Sequence, residues 1–146
     1  MSMFDESNEI NDFFAYGTLM CEDIMEEVSG CRLSCMPGVL RGYSRRSVRG
    51  EHFPALVLDQ EGRVEGVVYR NLTSSAWERL DRFEGDMYIR RVVQIELNNG
   101  TALPAATYVW KPQFLDDLED SDWSFANFLR NGKEHFQRDY RGYQQL

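Results

Sequence analysis

Cysteine, histidine and lysine are scarce in this chain, and each scarcity removes a class of chemistry. Its 146 residues hold three cysteines, Cys21, Cys31 and Cys35, and two histidines, His52 and His135, far apart in sequence. A structural zinc site needs about four such ligands in clustered spacing, so the expectation is no metal and free thiols, buried or half-exposed, in a reducing compartment. Lysine occurs only at Lys111 and Lys133, leaving arginine to supply most positive charge and favouring bidentate carboxylate contacts. Long apolar runs are missing as well: nothing approaches the ~18 residues of a membrane span. The start, MSMFDESNEI, is acidic and polar where a secretion signal is basic and then apolar. A soluble, cytoplasmic protein without membrane contact is expected. The net charge of −8 opposes a phosphate backbone over most of the surface, which argues against a nucleic-acid partner.

The usual nucleophile and nucleotide signatures are absent too. There is no Gly-x-Ser-x-Gly elbow, no P-loop, no dinucleotide fingerprint and no cysteine with a convincing histidine partner. What remains is chemistry in which side chains only move protons. No repeat or linker long enough to separate domains appears, so residues 1–146 are read as one domain, with 1–11 flexible and 115–146 a C-terminal helical extension.

Two segments carry the chemistry that is present. The first is FFAYGTLM, residues 13–20, an apolar strand that breaks at Gly17. Backbone N–H groups just past such a break, at Gly17 and Thr18, form a nest for an anion or a polarised carbonyl. The second is LDRFEGDMYIR, residues 80–90, which carries Glu84 at the end of a helical pattern and next to aromatic residues. A helix C-terminus and an apolar setting both disfavour a negative charge, so a raised proton affinity is expected at Glu84. Asp81, one turn earlier, is expected on a solvated helix face; tuning of Glu84 by like charge is the other reading. Tyr16 and Tyr88 are either pocket hydroxyls or packed strand aromatics. Arg45, Arg46 and Arg49, with Arg90 and Arg91, are candidate holders of a substrate carboxylate or simply solvated strand residues.

The element pattern places these segments. A strand at Phe13–Tyr16 leads to a helix at about Cys21–Val28 closed by Gly30. Short extended pieces follow to Tyr69, with a DQEG turn expected between two hairpin strands and Gly38, Gly42 and Gly66 marking bulges or barrel corners. Thr73 caps a helix that Gly85 ends. Met87–Leu97 and Thr101–Trp110 pair around Asn98-Asn99-Gly100. A final helix, from about Asp122 to Tyr140, is expected with Ser121 as its cap. The fold class is α+β: a small mixed β-barrel with flanking helices and a C-terminal helix, its mouth open to a ligand.

The ordered set Tyr16-Gly17-Thr18-Leu19, Pro37-Gly38-Val39-Leu40-Arg41-Gly42-Tyr43, Phe53-Pro54-Ala55-Leu56-Val57, Val64-Glu65-Gly66-Val67-Val68-Tyr69 and Leu80-Asp81-Arg82-Phe83-Glu84-Gly85, with Tyr88 and Arg90, resembles the gamma-glutamyl cyclotransferase superfamily. Within it the likeness is to the avirulence-induced-gene-like (AIG2-like) branch, over about Phe13 to Trp110. The resemblance implies conversion of a gamma-glutamyl amine or peptide to 5-oxoproline and free amine, with Glu84 catalytic and Tyr16, Gly17, Thr18, Leu19 and Tyr88 binding substrate. It implies no cofactor, because the substrate's own α-amine is the nucleophile. A non-catalytic small-carboxylate-binding module and a related amide-cleaving or acyl-transfer enzyme stand beside it as alternatives.

Overall fold

Alternating apolar residues and glycine-marked bends produce five strands among the described residues, β1 (Phe13–Ala15), β2 (Cys35–Ser47), β3 (Pro54–Tyr69), β4 (Tyr88–Leu97) and β5 (Ala102–Trp110). The helices are α1 (Glu22–Ser29), α2 (Ser74–Glu84), α3 (Phe125–Asn127) and α4 (Lys133–Asp139). This computed structural model describes residues 10–146. The expectation of a flexible 1–11 segment lies outside the described residues except at Ile10 and Asn11, where the Asn11 carbonyl accepts the Leu72 N–H at 2.7 Å.

The strands close into a barrel in the order β1-β3-β2-β4-β5. Closure depends on β1, which pairs antiparallel with β3 and meets β5 in parallel at Phe13 and Ala106. Side chains of β1 alternate between two packed layers. Phe14 joins Leu40, Leu56, Val64, Val68 and Ile95 in a cluster built from strand residues, which fills the barrel. Phe13 and Ala15 join Ile24, Val28, Trp77, Leu80 and Phe83 between barrel and helices. β3 and β5 likewise contribute buried residues to both clusters: Tyr69 with Val64 and Val68, and Tyr108 with Val109.

The Asp59–Gly62 segment differs from the expected turn. β3 runs through it as one strand, but Asp59–Gly62 have no partner on β2: pairing passes from Arg41↔Arg63 to Tyr43↔Leu58, and the register shifts between Arg41 and Tyr43. It is a bulge that bends a long hairpin into the barrel wall. Gly42, expected at such a corner, sits at this shift with φ of 87°. Gly38 and Gly66 face each other in the register, and a Cβ on Gly66 would meet the Ala15 carbonyl oxygen and lie 2.8 Å from the Phe14 ring. Close approach of β1, not a bend, accounts for glycine there.

Local signals hold for the helices over the site. Thr73 Oγ1 accepts the Ala76 N–H at 3.1 Å, capping α2 as expected. The C-terminal helix is less regular than its pattern suggests: a π-turn at Phe128–Gly132 separates α3 from α4. Its cap is Ser124, whose hydroxyl accepts the Asn127 N–H at 3.1 Å, and not Ser121. The three thiols are free, as expected. No helix among the described residues is long and apolar enough to cross a membrane.

Gly66→Ala should force β1 and β3 apart at the closure seam, costing about 1–3 kcal/mol as overpacking does. A fall in Tm of several degrees in thermal denaturation is the expected result.

Candidate active site

The two segments singled out by their residues meet at one end of the barrel. Phe13 through Leu19 line a small cavity of about 30 Å³ together with Phe53, Pro54, Glu84, Tyr88, Tyr108 and Tyr140. All of Tyr16, Gly17, Thr18, Leu19, Glu84 and Tyr88 are thus brought together. A wider cavity of about 900 Å³ shares Phe53, Glu84, Tyr88 and Tyr140 with the first and opens between the 51–53 loop and the C-terminal segment.

The Tyr16–Leu19 loop is tied from three sides. Tyr16 donates its hydroxyl to the Tyr108 carbonyl at 2.6 Å, Tyr69 donates to the Leu19 carbonyl at 2.6 Å, and Arg45 Nη1 donates to the Tyr16 carbonyl at 2.9 Å. Beyond Gly17 the chain turns once as a 3-10 helix, Thr18–Met20. The N–H groups at the start of such a turn have no carbonyl of the turn to bond, which suits them to an external acceptor. A Cβ on Gly17 would lie 2.7 Å from the Pro54 ring, so the loop packs hard against the start of β3. Tyr88 is held from the other side, its hydroxyl donating to the Pro54 carbonyl at 2.7 Å. Burial pushes the phenols of Tyr16 and Tyr88 well above their usual range, with nearby Glu84 adding to it. Both remain neutral hydrogen-bonding groups.

Glu84 is the last residue of α2 and is partly buried. Gly85, with φ of 84°, ends the helix there and turns the chain toward β4. Among the described residues no hydrogen bond or ion pair reaches the Glu84 carboxylate, in an environment rich in aromatic rings. Loss of hydration, and secondarily the charge of Asp81, push its pKa from the ordinary 4.5 to about 8. The expected raised affinity is present, with burial as the main cause.

Other expectations change. Asp81 is exposed, as expected, and is also engaged: Tyr108 donates its hydroxyl to Asp81 Oδ1 at 2.7 Å and Arg90 Nη1 lies 3.3 Å from the same oxygen. Arg45 and Arg46 pair with Asp122 and Asp120, and Arg49 donates to the Asp116 carbonyl. These arginines fasten the 116–122 segment to the barrel and so are committed away from a substrate carboxylate. Tyr108 and Tyr140 line the cavity without having been singled out beforehand. Strand alternation gives a hint for Tyr108; nothing local points to Tyr140, whose hydroxyl donates to the Phe83 carbonyl at 2.8 Å and contacts that of Glu84 at 3.3 Å. No cluster of metal-ligating side chains occurs among the described residues.

Comparison with solved structures defines the class. The chain superposes on a gamma-glutamyl cyclotransferase with a TM-score of 0.62, covering 74% of this chain and 68% of that one, at 16% identity, which shows the fold. It superposes on an Arabidopsis thaliana protein solved in solution with a TM-score of 0.69 at 28% identity, over 88% and 86% of the two chains. This is a gamma-glutamyl cyclotransferase fold. The sequence profile of the "Gamma-glutamyl cyclotransferase, AIG2-like" family matches residues 13–125, and the chain belongs to that family. It is 30% identical to Arabidopsis thaliana AIG2-like protein C over 126 residues, 86% of this chain and 73% of that protein. With AIG2-like protein A of the same plant it shares 27% identity over 132 residues, 90% and 79% of the two chains.

A carboxyl whose affinity for protons is raised on folding makes stability depend on pH. The folded state keeps the Glu84 proton when the unfolded chain has released it, so its contribution is fully present below about pH 4.5 and is lost as pH rises to about 8. Glu84→Gln should flatten that part of the stability profile. Urea denaturation of both proteins at pH 5.5 and pH 8.5 measures the difference.

Proposed function

We propose that the protein converts a gamma-glutamyl amine or gamma-glutamyl peptide to 5-oxoproline and a free amine. The observation that carries this reading is the unpartnered Glu84 carboxylate in a tyrosine-walled cavity at the Tyr16–Leu19 loop, within a chain of the cyclotransferase family. A single proton-moving group suits a reaction whose nucleophile is already part of the substrate.

In the reaction, the ionised Glu84 takes a proton from the substrate's α-ammonium. The freed amine attacks the γ-carbonyl carbon, forming the ring C–N bond and placing negative charge on the carbonyl oxygen. Glu84 then returns the proton to the γ-amide nitrogen, that C–N bond breaks, and the amine leaves as the carbonyl re-forms. The ring nitrogen gives up its second proton through Glu84 to the released amine, which departs as the ammonium, so atoms and charge balance without a cofactor or external water. N–H groups at Gly17, Thr18 and Leu19 are assigned to the developing oxyanion or the substrate carboxylate. Tyr16 and Tyr88, neutral and fixed, bound the glutamyl moiety and keep it folded near its attack geometry; holding reactants so can be worth about 7–11 kcal/mol of barrier.

A carboxyl with a pKa near 8 is a stronger base when ionised than an ordinary glutamate and still partly ionised at neutral pH, the compromise that favours proton transfer. A cytoplasmic setting belongs to the same reading and is supported by the free thiols.

Glu84→Gln should lower 5-oxoproline formation by about 10²–10⁴-fold with the fold retained. Mass spectrometry of the wild type and the variant with a panel of gamma-glutamyl amines and peptides measures it. In the wild type kcat/KM should rise with pH toward a plateau above about 8, where Glu84 is ionised. Product that lacks the 5-oxoproline ring would assign the site to direct amide cleavage or acyl transfer. Binding of small carboxylates with no turnover would assign it to a sensor.

A further inference from the structure

Two carboxylates project from neighbouring turns of α2, and their surroundings are opposite. Glu84 has no partner among the described residues, whereas Asp81 Oδ1 accepts the Tyr108 hydroxyl at 2.7 Å and has Arg90 Nη1 3.3 Å away as an ion-pair contact without a hydrogen bond. Arg90 is itself held in place, its guanidinium lying 4.6 Å from the centre of the Trp77 ring, where a cation is attracted to the π face. Tyr108 works at both ends: its side chain anchors Asp81 and its backbone carbonyl receives the Tyr16 hydroxyl at 2.6 Å. A continuous set of contacts therefore runs from α2 through β5 to the loop that walls the cavity.

We propose that Asp81, clamped by Tyr108 and Arg90, is a positioning residue of this site, and that the Asp81–Arg90 pair governs when Glu84 gains and loses its proton while Tyr108 couples that pair to Tyr16. The inference rests on the assignment of Glu84 as the proton-moving group. Its physical basis is the sign and fixity of the charge. A carboxylate one helical turn from another opposes its ionisation, and a cation bound to the first offsets that opposition in part. Asp81 could act this way only if it stays in place, which the hydrogen bond from the Tyr108 hydroxyl secures and the adjacent Arg90 guanidinium favours by charge.

The remaining groups around Glu84 leave this pair as the adjustable element. Tyr16, Tyr88, Tyr108 and Tyr140 face it from β1, β4, β5 and the C-terminal segment, and burial keeps all four phenols neutral. Glu51, His52 and Asp86, from the loops flanking β3 and β4, border the wider cavity. The C-terminal segment adds His135, Asp139 and Arg141 to that border, and Arg82 of α2 is engaged with the Gln145 carbonyl at 3.1 Å. Asp81 is the charged group that acts most strongly on Glu84.

The test uses two substitutions with opposite expected signs. Asp81→Asn keeps an oxygen for the Tyr108 hydroxyl but removes the negative charge and frees Arg90, so Glu84 should ionise at lower pH. Arg90→Gln leaves Asp81 charged and uncompensated, so Glu84 should ionise at higher pH. Shifts of roughly one pH unit are the size expected for a neighbouring charge at a partly exposed site. Each is read in the intact protein by NMR titration of the Glu84 side-chain carboxyl carbon, identified by its loss in Glu84→Gln. Opposite displacements support the proposal; unchanged titrations, or displacements of the same sign, overturn it. The acid limb of kcat/KM should follow the same displacements, whereas a merely structural Asp81 would lower the rate equally at every pH. The titration needs no substrate, so opposite shifts without 5-oxoproline formation would count against the enzymatic reading alone. Should Asp81→Asn fail to fold, the direction of the Arg90→Gln shift decides the matter.

Discussion

Closure of the barrel by the three residues Phe13–Ala15 is the constraint on which the rest of the structure depends. β1 alone joins β3 to β5, and its side chains are shared between the filling of the barrel and the layer beneath the helices. The seam is reinforced from β5, where Thr107 donates its hydroxyl to the Phe14 carbonyl at 2.8 Å. So short a strand closes the sheet because glycine at position 66 lets its backbone lie against β3. The strand then delivers Tyr16, Gly17 and Thr18 straight to the barrel mouth, so the element that completes the fold also builds one wall of the cavity.

The opposite wall comes from helix termination. α2 lies on the barrel through Trp77, Leu80 and Phe83, all buried. Its register leaves Glu84 as the final helical residue, facing the mouth. The C-terminal segment then encloses that helix end: Phe136 and Tyr140 stack at 4.6 Å, and Tyr140 meets Phe83 edge-on at 4.8 Å. Enclosure reduces the carboxyl's contact with water, and among the described residues no hydrogen-bonding partner replaces it; this combination raises its affinity for a proton. Residues 126–146 lie beyond the stretch matched by the family profile, yet Tyr140 within them borders both cavities.

Much of this was legible before folding was considered. The Thr73 cap, the glycine that ends α2 and the β4–β5 hairpin rest on interactions within a few residues, and local chemistry suffices for them. The DQEG segment shows the limit: its composition reads as a turn, but β2 pairs with β3 on both sides of it and leaves its four residues as an unpaired bulge within one strand. Ser121 and Ser124 are equally good caps by composition, and packing of the helix selects the second. The arginines at 45, 46 and 49 read as either holders of a substrate carboxylate or solvated strand residues, because sequence gives charge without direction. In the fold they point to the acidic 116–122 segment, some seventy positions away, with Arg45 side chain only 16% exposed.

The residues by themselves pointed to the class of architecture through periodicity and caps, and to the two segments and Glu84 as candidates chiefly through the ordered motifs that resemble the family, since these are properties of the chain read in one direction. Tertiary structure decided the environment of that carboxyl: which rings crowd it, that Tyr108 and Arg90 approach Asp81, and that Tyr140 comes from the far end of the chain to border it. Proton affinity and hydrogen-bond partnership depend on distances among groups remote in sequence, and those distances exist only once the barrel has closed.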